Sequence, residues 1–235
     1  MEDRSRDNTI LGAERALAYS EGLRAYMLSV YNYMALGLGL TGGVALLVAS
    51  SPALQAAIMP MMLLFILAPI ALVFFMSFKI NTMSFSTAQS VFWLYAALNG
   101  VAFSTLFLAY DGVSIARVFF ITAGMFAAMS LYGYTTRKDL TAMGGFLFMG
   151  LIGIIIASVV NMFIASSGFQ FLISVIGVLV FTGLTAYDTQ SIKESYTAGS
   201  SSEVAGKRAI FGALRLYLDF VNLFLMMLQL VGDRK

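Results

Sequence analysis

Two aspartates stand inside long apolar stretches of this chain, where a charged side chain is least expected. The chain has 12 acidic residues, and only Asp188 and Asp219 fall within segments that the sequence predicts as membrane spans. Two carboxyl groups that share a poorly hydrated site cannot both ionise freely, so they titrate as a coupled pair. Protonated, they can share a hydrogen bond; ionised, they repel each other or attract a cation. Such a pair predicts a proton-biased gate.

The same two residues are candidate ligands for a metal ion. Oxygen ligands suit a hard cation such as Ca²⁺, which takes about six to eight of them in a tight site. Asp188, Asp219 and the nearby Asn222 fall far short of that number. The sequence therefore predicts weak, transient Ca²⁺ binding of the kind that a conducting path needs. We expect no bound cofactor, with Ca²⁺ as the permeant ion.

The last apolar stretch, residues 211–231, must position Asp219. Its polar and small residues recur at steps of three and four, which places them on one face of a helix: Gly212, Arg215, Asp219, Asn222, Met226 and Gln229. We expect this stripe to face the inside of a helical bundle, since charged groups avoid lipid. Arg215 lies one turn before Asp219, and the spacing predicts an ion pair between them. Whether Asp188 reaches Asp219 depends on where two helices end, which the sequence leaves open.

The composition identifies an integral membrane protein. Hydrophobic residues make up 60% of the 235 residues and charged residues 11%, against about 25% charged in soluble domains. The net charge of +2 gives no reason to expect a nucleic acid partner. The chain has no Cys, which excludes disulfides, and no His, so a proton sensor near neutral pH has to be a carboxylate.

Uncharged stretches separated by polar turns predict seven spanning helices. We place them at about 25–49, 54–78, 86–109, 113–134, 142–165, 169–190 and 211–231. Residues 1–24 then form an N-terminal tail, 25–232 one membrane domain and 233–235 a C-terminal tail. The small-residue pairs Gly39/Gly43 and Gly124/Ala128 predict close helix packing.

Basic residues predict the orientation. With the N-terminus in the cytosol, the inner segments hold most of the Lys and Arg, and the outer turns near 51, 111 and 167 hold almost none. Arg117, one turn inside the fourth span, is expected to extend to the headgroups. The tail residues Arg234 and Lys235 do not fit this pattern if the last segment crosses fully. A re-entrant last segment, with both ends inside, therefore stays open.

Three blocks of the sequence resemble the Bax inhibitor-1 family, the transmembrane Bax inhibitor motif proteins, in its bacterial branch. They are GLTAYDTQSIKE at 183–194, ALRLYLDFVNLFLMMLQLVG at 213–232 and YGYTTRKDLT at 132–141. The resemblance covers the chain after its N-terminal tail. It implies six helices around a central C-terminal helix, and a proton-sensitive calcium leak. By motif, the family's paired aspartates fall on Asp188 and Asp219, with Tyr187, Arg215 and Asn222 as possible supporting residues.

We therefore expect a non-enzymatic, pH-sensitive calcium or cation leak channel in the bacterial inner membrane, whose partners are the lipid bilayer, Ca²⁺ and protons. One alternative is a non-conducting interaction protein that regulates other membrane proteins in quality control or stress and cell-death responses. Another is a proton-coupled transporter, although seven spans show no clear inverted repeat. An intramembrane protease would also use two aspartates, but neither Asp188 nor Asp219 precedes a glycine.

Overall fold

The computed structural model describes residues 2–79 and 82–235, with side chains from residue 17 onward outside that gap. Seven helical spans, numbered here in chain order, are long and apolar enough to cross a membrane. The first belongs to a helix over Glu2–Ser50, and the third ends in a short helix at Leu106–Ala109. The others are Pro52–Lys79, Phe85–Ala109, Gly112–Thr135, Thr141–Ile164, Ser167–Glu194 and Ser202–Val231. The predicted all-α class and the seven spans are confirmed, while the first helix runs through the predicted boundary at residue 24.

Polar residues between the apolar stretches end one helix and start the next. The Ser51 hydroxyl accepts a hydrogen bond from the Leu54 amide, and Pro52 follows at the first helical position. The Asp111 carboxylate accepts from two amides at the start of the fourth span, and Ser166 caps the sixth. These caps satisfy backbone donors that a helix start leaves unpaired. The second span is interrupted by a 3₁₀ turn at Met59–Met61, which contains Pro60.

The seventh span is the most buried. Inside the bundle, 61% of its apolar window is buried, against 6% for the second span. It packs mainly against the first, third, fourth and sixth spans, while the second packs on the third and the fifth on the sixth. The bundle thus has an inner group of five spans and two spans on its outside. Only the inner group can position Asp219.

A buried tyrosine joins three spans near the middle of the seventh. Tyr217 is fully buried, and its hydroxyl lies 2.7 Å from the Thr41 hydroxyl of the first span. Thr41 in turn donates to the Ala96 carbonyl of the third span at 2.8 Å. This network satisfies polar groups that would be costly to leave unpaired in an apolar core.

The seventh span crosses the whole bundle. It is continuous over 30 residues, and the tail after it lies against the turn between the third and fourth spans. There the Asp111 amide donates to the Asp233 carbonyl at 3.0 Å, and the Lys235 amide donates to the Ala109 carbonyl at 3.1 Å. Arg117 forms an ion pair with Asp233 at 2.9 Å. Of the two arrangements that the sequence left open, this geometry favours full crossing, because the last helix ends beside the turn between the third and fourth spans, at the end of the bundle opposite to its start.

This arrangement predicts that Lys235 and the loop containing Lys138 lie on opposite sides of the membrane, which cysteine labelling can test because the chain has no native Cys. We expect Lys235→Cys to react with a membrane-impermeant maleimide in intact cells. Lys138→Cys, in the loop at the other end of the bundle, should react only after permeabilisation. If both cysteines need permeabilisation, the last segment returns to the side from which it entered.

The fourth and sixth spans approach each other closely at Gly133. A Cβ atom on this residue would lie 2.2 Å from the Ala186 carbonyl oxygen, whereas a Cβ on Gly124 of the same span meets nothing within 4 Å. We expect Gly133→Ala to lower the unfolding free energy by about 1–3 kcal/mol through overpacking. Gly124→Ala should be neutral or slightly stabilising because Ala favours helix. Thermal unfolding in detergent measures both; equal unfolding temperatures would contradict the close approach.

Candidate functional site

The polar stripe of the seventh span faces the sixth span along most of its length. A Cβ on Gly212 would lie 3.1 Å from Ile192, and one on Gly177 would lie 2.7 Å from Met226. Near the other end, the Gln229 side-chain oxygen accepts from Ser174 at 2.8 Å and from Gln170 at 2.5 Å. The predicted stripe therefore forms an antiparallel contact face with one neighbouring helix.

The alignment of the sixth and seventh helices decides whether Asp188 and Asp219 can meet. The sixth span continues to Glu194, so Asp188 lies about 9 Å before its end at 1.5 Å per residue. The seventh span begins at Ser202 and its first two turns extend beyond the end of the sixth. Asp219 is then about one turn away from the level of Asp188 along the bundle axis. The sequence left this contact open; it becomes possible because the sixth helix continues past Gln190 to Glu194, while the seventh begins at Ser202, beyond the end of the sixth.

Arg215 pairs with Asp188 on the sixth span. Its guanidinium donates to both carboxylate oxygens of Asp188, from Nη2 to Oδ1 and from Nε to Oδ2 at 3.3 Å. Its Nη1 also donates to the Ser191 hydroxyl at 3.3 Å. A two-pronged pair of this kind fixes geometry as well as charge. The predicted pair of Arg215 with Asp219 was wrong, because the guanidinium extends across the helix contact instead of along its own helix.

Asp219 lies beside this ion pair and forms no salt bridge with a Lys or Arg among the described residues. It is 5% exposed, and its Oδ2 atom is buried with no hydrogen-bond partner. The Asp188 carboxyl group is its neighbour across the helix contact. The structure thus brings together the two aspartates and Arg215 that the sequence singled out.

Several contacts hold the end of the sixth span in this position. Its Gln190 side chain accepts from the Leu140 amide and donates to the Lys138 carbonyl, both at 2.8 Å. Lys193 donates to the Tyr134 carbonyl at 2.7 Å. These bonds attach the last residue of the YDTQ motif and the turn after it to the loop between the fourth and fifth spans and to the end of the fourth span. They fix the height of Asp188 in the bundle.

Two of the predicted supporting residues lie differently from the aspartates. The Tyr187 ring packs on Gly144 of the fifth span and meets Phe148 edge-on at 6.4 Å between ring centroids. Tyr187 therefore positions the sixth span against the fifth. The Asn222 amide donates to the Leu218 carbonyl one turn earlier in its own helix at 2.8 Å.

Sequence reasoning missed a chain of hydroxyl groups that crosses three spans. The Tyr31 hydroxyl lies 2.5 Å from Ser130, and Ser130 lies 3.0 Å from Thr189, the neighbour of Asp188. The Ser191 contact with Arg215 was missed as well. Ser, Thr and Tyr are common in spanning helices, so only their rotation in the bundle distinguishes these from the others.

Metal ligands are few at this site. Among the described side chains, no three acidic residues come together as a metal-binding group. Both oxygens of Asp188 already accept from Arg215. Asp219, whose Oδ2 is unpartnered, is therefore the carboxylate of this site that a cation would find without displacing the guanidinium.

Comparison with known proteins places the chain in a family. A family model described as "Inhibitor of apoptosis-promoting Bax1" matches residues 23–235. An uncharacterized protein of Rickettsia prowazekii is 48% identical over 231 residues, 97% of each chain. The inner membrane protein YbhL of Escherichia coli is 45% identical over 219 residues, which cover 91% of this chain and 94% of that one. With its seven spans, the chain is a multi-pass membrane protein that belongs to the Bax inhibitor-1 family.

Proposed function

We propose that this protein is a pH-sensitive leak for Ca²⁺, or for cations more broadly, across the bacterial inner membrane. In this proposal Asp188 and Asp219 are the proton sensor, Arg215 is the third member of the site, and no chemical reaction is catalysed. The observation that carries the proposal is the buried Asp219 with an unpartnered oxygen, beside an Asp188 that Arg215 already neutralises. The inner-membrane location is carried over from the E. coli relative.

A count of charges explains why protons matter here. Two ionised carboxylates and one guanidinium leave one excess negative charge in a site that is largely closed to water. An unpaired buried charge is costly, and the site can lose it by binding one proton or one cation. A proton on Asp219 would also supply the donor that the two facing carboxyl groups lack. The site therefore has a neutral protonated state and an anionic state.

These two states differ in how they hold the last two spans together. In the neutral state, Asp219 donates a hydrogen bond to Asp188 while Arg215 binds Asp188 from the other helix, so both links join the sixth and seventh spans. In the anionic state the two carboxylates repel each other across the same contact face. The helix contact is then the bistable element that protons bias.

The anionic state also attracts a cation. Asp219 provides a single carboxylate without a cationic partner, and the neighbouring carboxylate of Asp188 is occupied by Arg215. Such a site binds Ca²⁺ weakly, because a tight site needs about six to eight oxygens. Weak binding favours passage over storage, since an ion that binds tightly does not leave.

The decisive test is ion flux into liposomes that contain the purified protein and a calcium dye, at pH 6, 7 and 8. We expect a pH-dependent signal that loses its pH dependence in Asp219→Asn and in Asp188→Asn, because neither variant can alternate between the two states. Asp233→Asn is the matched control, since this carboxylate pairs with Arg117 at the far end of the bundle. An unchanged pH profile in Asp219→Asn would refute the sensor.

A second prediction concerns Arg215. Its positive charge favours ionised carboxylates, so Arg215→Gln should move the midpoint of the flux-against-pH curve upward by about one pH unit or more. Arg117→Gln removes a guanidinium of the exposed pair and should leave the midpoint in place. A downward shift in Arg215→Gln, or equal shifts in both variants, would show that Arg215 does not act on the aspartates.

If the flux does not exceed that of empty liposomes at any pH, the result would favour the alternative function, which involves no ion conduction. The protein would then be a non-conducting membrane protein that regulates partner proteins. In that case partner capture should survive in the double variant Asp188→Asn/Asp219→Asn, and the buried aspartates would serve the contact between the last two spans.

A further inference from the structure

A large open groove separates the first and fourth spans on the outside of the bundle. Its volume is about 1030 Å³, and neither Asp188 nor Asp219 lines it. Leu28, Leu46 and Leu131 stand on its walls with exposed fractions of 52–63%, so the groove opens sideways. Phe220 and Ser130 form part of its floor. The groove is therefore a separate feature from the proposed gate.

Glycines form one wall of the groove. A Cβ atom added to Gly39, Gly42 or Gly43 would meet nothing within 4 Å. The sequence predicted Gly39 and Gly43 as a packing pair between helices, as it did Gly124 and Ala128. That prediction was wrong for Gly39, Gly43 and Gly124, because no described helix covers these three glycines. The missing side chains instead create space beside the first span.

The length of the groove matches the bilayer. Its lining on the first span runs from Arg24 to Leu46, which corresponds to about 33 Å of helix at 1.5 Å per residue. The hydrocarbon core of a bilayer is about 30 Å thick. A slot with mostly apolar walls at this depth is not stabilised by water, which needs polar partners. Hydrocarbon chains of lipid are the material that surrounds it.

One end of the groove is polar and positive. Arg24, Tyr31, Ser130 and Tyr134 line that end. Arg24 has no carboxylate within 4 Å among the side chains described from residue 17 onward. It lies near the predicted inner edge of the membrane, where a basic residue attracts anionic lipid headgroups. The other end, near Leu46, is apolar.

We propose that this groove is a binding site for an anionic phospholipid, with its phosphate at Arg24 and one acyl chain along Gly39, Gly42 and Gly43. The charge at one end and the uncovered glycines along the wall together match the two parts of such a molecule. The proposal is independent of ion conduction, because it depends on none of the residues of the aspartate site.

Native mass spectrometry of the purified full-length protein can test this site. The delipidated protein is titrated with dioleoyl phosphatidylglycerol and, separately, with dioleoyl phosphatidylcholine. One basic residue near the membrane surface favours an anionic lipid over a neutral one. We therefore expect one phosphatidylglycerol per chain to bind about fivefold more tightly than phosphatidylcholine. Arg24→Gln should remove this preference. Lys138→Gln, an exposed cation at the same end of the bundle, should retain it.

A second pair of variants tests the acyl-chain part of the groove. Gly43→Leu fills the slot and should weaken phosphatidylglycerol binding about tenfold, the loss that follows when a chain segment is excluded from an apolar surface. Gly145→Leu is the control, because this glycine of the fifth span is exposed, has open space around it and does not line the groove. A phosphatidylglycerol with a diazirine in its acyl chain should label peptides within 35–46 and 119–131.

Three results would overturn the proposal. The first is equal phosphatidylglycerol binding by Gly43→Leu and the native protein. The second is equal binding of the two lipids by the native protein. The third is a dimer that dissociates in Gly43→Leu and binds no lipid in the groove, which would make a second copy of the chain the occupant.

Discussion

The contact between the sixth and seventh spans is the interaction on which the rest of this structure depends. It is long and antiparallel, and it contains a two-pronged ion pair between Arg215 and Asp188 with a second carboxylate beside it. Charges at membrane depth are tolerated only where protein or water receives them. The first, third and fourth spans surround the seventh on its other sides. The remaining two spans pack on the outside, so the bundle is arranged from this contact outward.

Burial of the ion pair does not by itself stabilise the fold. Two desolvated charges recover in attraction roughly what they lose in hydration, but removing one partner leaves a buried charge that costs about 3–5 kcal/mol. The pair therefore acts mainly to fix register. Only the observed alignment of the two helices places the Arg215 guanidinium opposite Asp188, and a slip by one turn would separate the two groups.

Much of this arrangement could be predicted from the sequence. Long uncharged stretches predicted the number of spans, and the polar turns near 51, 111 and 167 predicted their breaks, where the structure has Ser51, Asp111 and Ser166 as helix caps. The spacing of three and four along the last span gave the face that carries Asp219. Spacing within one helix does not, however, show which neighbour receives a side chain. For this reason Arg215 was assigned to Asp219 in its own helix, although the cross-helix carboxylate of Asp188 binds it from two sides. The uncovered face at Gly39 and Gly43 could not be predicted for the same reason, since small residues permit close packing without requiring it.

The buried ion pair also has a consequence for how the chain enters the membrane during synthesis. A charged residue at the centre of a spanning helix costs about 2.5–3.5 kcal/mol on insertion scales, and the last segment has two such residues, Arg215 and Asp219. Its predecessor contains Asp188 and is made first, and only the seven residues 195–201 join the two helices. The last segment can therefore leave the insertion machinery at low cost only as a hairpin with the segment before it. Biogenesis of this protein then ends with the cooperative pairing of the sixth and seventh spans. The contact that organises the folded bundle also lowers the free-energy cost of inserting the last helix.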